Sequence, residues 1–191
     1  VTTRKNLFDD MSGHWAEEAA DFTGARELFA GTSFRTFAPE EPMTRAMLTT
    51  VLYRLAGRPE VNGTSFNDVA AEQWYADSIS WAVENQIAYG TASGMFSPDR
   101  AVSRQELAVI LWNYAKTIGV ETAAADNTSL SFKDTDQAEV WARPALQWAS
   151  SSGILQGDDN GLLNPADPAT RAEVAAILER FIRITIEQLS H

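Results

Sequence analysis

The chain has no cysteine and only two histidines, His14 and His191. The first absence excludes a disulfide framework and a thiolate metal site. The second leaves too few imidazoles for a three-histidine metal centre. Positive charge is also scarce: 15 Lys and Arg stand against 26 Asp and Glu, for a net charge of −11. Nucleic acid needs a basic footprint and an anionic membrane attracts polybasic segments, so the balance argues against both partners. No run of eighteen apolar residues occurs, which leaves no candidate membrane span. The opening Val1-Thr2-Thr3-Arg4-Lys5 lacks an apolar h-region and does not read as a signal peptide. Gly-x-Ser-x-Gly, a Gly-rich phosphate loop and His-Glu-x-x-His are all missing. Carboxylates are numerous enough for a glycosidase pair, but they mostly recur as caps or on polar faces. No catalytic residue, cofactor or metal is therefore expected, and the chain does not read as an enzyme.

What is present is a globular composition carrying a threefold repeat. At 191 residues with 45% hydrophobic content, there is ample material for a core. Trp15, Trp74 and Trp141 are each followed sixteen residues later by Gly31, Gly90 and Gly157. Pro39, Pro98 and Pro165 come after twenty-four residues, and Arg45, Arg104 and Arg171 after thirty. Before each Trp lies Phe-x-Asp: Phe8 to Asp10, Phe66 to Asp68 and Phe132 to Asp134. The register has no gap from Trp to Arg, so three homologous repeats are expected, over residues 7–56, 66–116 and 132–184. Linkers fall at Gly57 to Ser65 and Thr117 to Ser131. The second linker is polar and of low complexity, and its Asn127-Thr128-Ser129 reads as ordinary loop rather than as a glycosylation sequon.

Each repeat reads as helix, loop, helix. In the second, residues 74–87 place Ile79, Ala82 and Val83 on one helical face, and Gly90 suits a left-handed stop. Phe96 reads as a plug into the core. The next helix carries Leu107, Ile110, Leu111 and Tyr114, matched by Leu48, Val51, Leu52, Leu55 and by Val174, Ile177, Leu178, Phe181. One repeat is too small to bury such a face alone, so the three are expected to pack together as one cooperative unit.

Thr44, Ser103 and Thr170 stand where N-caps belong, and Glu106 and Glu173 complete capping boxes. Capping does not account for Arg45, Arg104 and Arg171, because the first turn of a helix disfavours positive charge. The copies also differ. The first has Met47 in place of the capping Glu, and Arg35 where the others have Gly94 and Gly161. Its groove is therefore either degenerate or altered by Arg35, and Arg104 and Arg171 take precedence over Arg45 as site residues. The Asp158-Asp159-Asn160-Gly161 run resembles part of a calcium loop but lacks the bidentate Glu, so it reads as a turn.

These marks together resemble three tandem S-layer homology domains. The matching residues are Phe-x-Asp, the Trp-led helix, Ile87-Ala88-Tyr89-Gly90, Ile154-Leu155-Gln156-Gly157, Phe96-Ser97-Pro98 and Thr170-Arg171-Ala172-Glu173. The resemblance covers about residues 7 to 184. It implies an all-α fold, with three helix-loop-helix repeats in a pseudo-threefold spindle around a central helical bundle. It also implies a non-catalytic module that anchors exported or S-layer proteins to the bacterial cell wall. The ligand it implies is a secondary cell-wall polysaccharide bearing pyruvate ketals, held in grooves between repeats.

A ketal carboxylate would give Arg45, Arg104 and Arg171 a role, since a guanidinium can hold it through two parallel hydrogen bonds. A helix N-terminus would add free backbone N–H groups. Trp15, Trp74 and Trp141 could stack on sugar, although core packing with at most an edge exposed is the leading reading. For Asp10, Asp68 and Asp134, capping leads and ligand contact is second. For Gly31, Gly90 and Gly157, a positive φ suffices, although glycine also lets a sugar approach the backbone. The rival role for the arginines is a bridge to Asp or Glu that staples adjacent repeats. The alternatives for the whole chain are a protein-interaction or self-assembly module and direct binding of peptidoglycan.

Overall fold

The computed structural model describes residues 7–63, 66–123 and 130–189. The N-terminal pentapeptide and residues 124–129 of the second linker, with the Asn127-Thr128-Ser129 sequon, lie outside the described residues. Among the described residues six α-helices follow one another: α1 Glu17–Gly24, α2 Arg45–Leu55, α3 Ala76–Glu84, α4 Arg104–Thr117, α5 Arg143–Ser151 and α6 Arg171–Leu189. Among the described residues there is no strand, only isolated β-bridges. The all-α expectation holds, and in each repeat a shorter helix precedes a longer one.

The long helices start where their caps put them. Thr44 accepts from the Met47 amide at 3.2 Å, Ser103 and Glu106 form a complete capping box, and Thr170 and Glu173 repeat it. Each buries its apolar stripe: Leu48, Leu52, Leu107, Val174 and Leu178 have no solvent exposure. The short helices end earlier than the sequence suggests. The left-handed residues are Glu27, Gln86 and Gly153, each four positions before the glycine expected to take that role. Gly31, Gly90 and Gly157 are not at positive φ. They are small for another reason. A Cβ there would come within 2.7 to 2.9 Å of a hairpin carbonyl, that of Thr36, Met95 or Leu162, and press on Phe8, Phe66 or Phe132.

The repeats close into a ring. The Met43 amide donates to the Ala169 carbonyl, the Ala169 amide to Val102 and the Val102 amide to Met43, at 2.8, 2.9 and 2.9 Å. The same cyclic order fixes the helix starts. The amides of Arg45 and Ala46 donate to Arg100 and Pro98, those of Arg104 and Gln105 to Asp167 and Pro165, and those of Arg171 and Ala172 to Glu41 and Pro39. Helix packing follows suit, with α2 against α3, α4 against α5 and α6 against α1. Each long helix thus lies on the short helix of the next repeat, and all six feed one core. In that core Phe181 touches Tyr114 and Trp148, and Tyr114 touches Trp81.

Candidate functional site

The three arginines are buried, with 4 to 7% of their surface exposed. Each reaches into the next repeat and grips its hairpin by two carbonyls. Arg45 Nε donates to Phe96 at 3.0 Å and Nη2 to Tyr89 at 2.6 Å. Arg104 does the same to Leu163 at 2.7 Å and Gln156 at 2.9 Å. Arg171 closes the ring onto Phe37 at 2.7 Å and Ala30 at 3.0 Å. The arginines therefore staple adjacent repeats, chiefly through carbonyls rather than through the carboxylates of the rival reading. Burial pushes Arg45 and Arg171 below the ordinary guanidinium value, and nearby carboxylates, Glu106 for Arg45 and Glu41 for Arg171, pull in the opposite direction. The phenyl rings of Phe96 and Phe37 lie 4.5 and 5.0 Å from these guanidiniums and add cation–π attraction.

The helix starts offer an anion no free donors among their first three amides. The first two amides of each long helix are taken by carbonyls of the next repeat and the third by the cap hydroxyl. The free N–H groups expected at the helix starts are absent because ring closure consumes them.

Trp15, Trp74 and Trp141 are 64, 61 and 53% exposed, so core packing is not their role. Each overhangs a groove that is assembled from all three repeats. One groove, of about 210 Å³, has Gly31 and α2 of the first repeat, Trp74 of the second and Arg171 of the third. A second, of about 430 Å³, has Gly90 and α4 of the second repeat, Trp141 of the third and Arg45 of the first. The remaining one, of about 610 Å³, has Gly157 and α6 of the third repeat, Trp15 of the first and Arg104 of the second. Arg, Gly and Trp do converge, but each from a different repeat.

Residues 7–46, 65–108 and 131–175 each match the S-layer homology domain. The chain belongs to this family. It is 29% identical over 180 residues, 93% of its length, to a surface-layer 125 kDa protein of Lysinibacillus sphaericus, of which it covers 15%. It is 27% identical over 172 residues to an amylopullulanase of Thermoanaerobacterium thermosulfurigenes, covering 90% of this chain and 9% of the relative. A cellulosome-anchoring protein of Acetivibrio thermocellus matches at 33% over 94 residues, 49% of this chain and 20% of the relative. The chain thus spans less than a fifth of the length of the surface-layer protein and the amylopullulanase.

Within these S-layer homology repeats, each Phe-x-Asp carboxylate holds the two residues that follow its hairpin. Asp10 accepts from the amides of Phe37 and Ala38, Asp68 from Phe96 and Ser97, and Asp134 from Leu163 and Asn164. Ala38, Ser97 and Asn164 sit at φ 58, 58 and 52°, a left-handed conformation that the paired carboxylate oxygens hold in place. The plugs Phe37, Phe96 and Leu163 are fully buried, and their carbonyls face the arginines. One peptide segment is thus clamped from both sides, by Asp of its own repeat and by Arg of the preceding one. Partial burial pushes Asp68 up, but the amides of Phe96 and Ser97 outweigh it, and the carboxyl lies below its usual range.

The clamp has a measurable consequence. Asp134 is 3% exposed, and Asp134→Ala strands the amides of Leu163 and Asn164. The expected loss is about 3–4 kcal/mol, or a Tm lower by about 6–15 °C. Asp134→Asn keeps one acceptor oxygen and should fall between. A loss below about 1 kcal/mol by urea titration would show that the clamp is dispensable.

Sequence reasoning missed a fourth groove position, nine residues after each Arg. Arg54, Asn113 and Arg180 donate to the carbonyls of Leu28, Ile87 and Ile154 at 2.9, 3.2 and 3.3 Å. The fixed register contained the signal, but Arg, Asn and Arg do not look alike in a sequence. In the first copy Arg35 and its partner lie outside the groove lining. Arg35 takes the left-handed φ of 56° that Gly94 and Gly161 take, and its guanidinium pairs with Asp9 at 2.6 Å. Asp158 accepts from the amides of Asn160 and Leu162, both at 2.9 Å, which makes that run a turn, as expected. Among the described residues no group of three or more candidate ligands could hold a metal, and no helix is long and apolar enough to cross a membrane.

Proposed function

We propose that this chain is a non-catalytic anchoring module that holds a larger exported or S-layer protein to the bacterial cell surface by binding wall polysaccharide in its three grooves. One observation carries the reading. Three exposed indoles overhang three grooves floored by buried arginines, an arrangement that core packing does not require. An exposed indole beside fixed polar donors suits a sugar, whose ring face is apolar and whose edge is rich in hydroxyls. Family membership, and relatives whose names describe surface-layer and cellulosome-anchoring proteins, support the cell surface as the setting. A carboxylate on the sugar, as in a pyruvate ketal, complements the arginines.

The test is co-sedimentation with purified cell wall, before and after extraction of its secondary polysaccharide. Binding should disappear with the polysaccharide, whereas retention on the stripped wall would indicate peptidoglycan instead. Exchanging Trp15, Trp74 and Trp141 for Ala should leave Tm within about 2 °C. Each exchange should weaken binding by about 1–2 kcal/mol at its own groove, about five- to thirtyfold. Unchanged binding by the triple variant would remove the grooves from consideration.

A further inference from the structure

The grooves differ at one atom. Nη1 is the guanidinium nitrogen that the hairpin carbonyls leave over. In Arg104 it is taken by Glu173 at 2.8 Å. In Arg45 it lies 3.9 Å from Glu106, which Arg100 also engages. In Arg171 the corresponding helix position is Met47, and among the described residues no carboxylate lies within salt-bridge distance of this guanidinium. The wider linings follow the same order. The Arg171 groove has Arg54 and Arg171 and no carboxylate. The Arg45 groove has Arg45 and Arg100 against Glu106. The Arg104 groove has Arg104 and Arg180 against Asp158, Asp159 and Glu173.

We propose that the third residue of each long helix sets the charge preference of its groove, so that the Arg171 groove alone receives a sugar carboxylate and the Arg104 groove rejects it. This rests on the sugar-binding reading above and divides the three grooves within it. A capping-box Glu has two oxygens. In the second and third repeats one satisfies the cap amide and the other faces the arginine of the preceding repeat. A ligand carboxylate would have to displace that oxygen, and would meet its charge if it did not. Met47 imposes neither cost. It also leaves the buried guanidinium of Arg171 with no carboxylate at salt-bridge distance among the described residues, since Glu41 and Asp10 act on it only from farther off, and a bound carboxylate would supply that contact.

The proposal makes stability and binding move in opposite directions. Met47→Glu completes a third capping box and gives Arg171 a partner, so Tm should rise by about 2–4 °C. The same change should weaken a carboxylate ligand by about tenfold or more. Glu173→Gln keeps an acceptor for the Thr170 amide while releasing Arg104, and should open a second carboxylate site. The probes are a methyl hexoside carrying a pyruvate ketal and the same hexoside without it, titrated calorimetrically into the whole chain. The wild type should take up one equivalent of the ketal sugar, Met47→Glu none at the same concentration, and Glu173→Gln two. If Met47→Glu binds the ketal sugar as the wild type does, the groove assignment is overturned and the anchoring reading stands. The same holds if the wild type sediments with wall polysaccharide yet ignores the ketal. If the wild type binds neither wall polysaccharide nor ketal sugar, both fail.

Discussion

A fragment of residues 66–116 is expected to show no cooperative thermal transition, while the whole chain unfolds in one sharp step. Within that fragment α3 would lose α2, the helix it packs against. The start of α4 would lose the carbonyls of Asp167 and Pro165, which take the amides of Arg104 and Gln105 at 3.0 and 2.9 Å. Val102, fully buried in the ring of three repeats, would lose both Met43 and Ala169. Arg104 would be left with an exposed guanidinium and no carbonyls to grip. Isolated helices of 9 and 14 residues are marginal in water without a covered apolar face. Circular dichroism and calorimetry of the fragment check this. A sharp transition with a calorimetric enthalpy in proportion to its length would show that each repeat folds alone.

Arg171→Ala should cost about 3–5 kcal/mol and lower Tm by about 6–20 °C. Two charge-assisted bonds across the closing joint of the ring disappear, and the buried carbonyl of Phe37 and the part-buried carbonyl of Ala30 lose their donor. Arg171→Lys should recover at most part of this, because an ammonium on a flexible stem cannot reach both carbonyls in the fixed geometry of a guanidinium. Thermal melts of both variants decide it, and a Tm within 2 °C of the parent for Arg171→Ala would remove the staple. The size of this effect bears on how the site is studied. Binding lost in an Arg→Ala variant would report a broken ring as readily as a missing ligand contact. Trp74→Ala and Met47→Glu act on the groove surface and keep the two apart.

Much of the fold is legible because its signals are local. Ser103 and Glu106 are three residues apart, and the capping box they predict is present. The stripe from Leu107 to Tyr114 repeats with the helical period, and it is buried. The Trp-to-Arg register holds without a gap, and the family match falls on the same three segments. Where the sequence reading went astray, the deciding contact was distant. The Trp residues looked like core because aromatic residues at regular spacing in a globular chain mostly are. Their exposure depends on which repeat faces them across the groove. Gly90 looked like a left-handed stop because glycine most often is one. Its constraint is the Met95 carbonyl folding back over it.

By itself the sequence determined that there are three repeats, that each is helix-loop-helix, and that the same residue types stand at the same places in each. Tertiary structure alone decided which repeat supplies what to each groove. Arg171 reaches Ala30 across 141 residues, and Trp74 of the second repeat overhangs the groove they share. The physical reason is ring closure. A backbone triangle between Met43, Val102 and Ala169 fixes the cyclic order of the repeats, and only that order sets each arginine against the hairpin of the next repeat. It also turns Met47, which in the sequence is merely a missing cap, into the residue that leaves Arg171 without a carboxylate partner among the described residues.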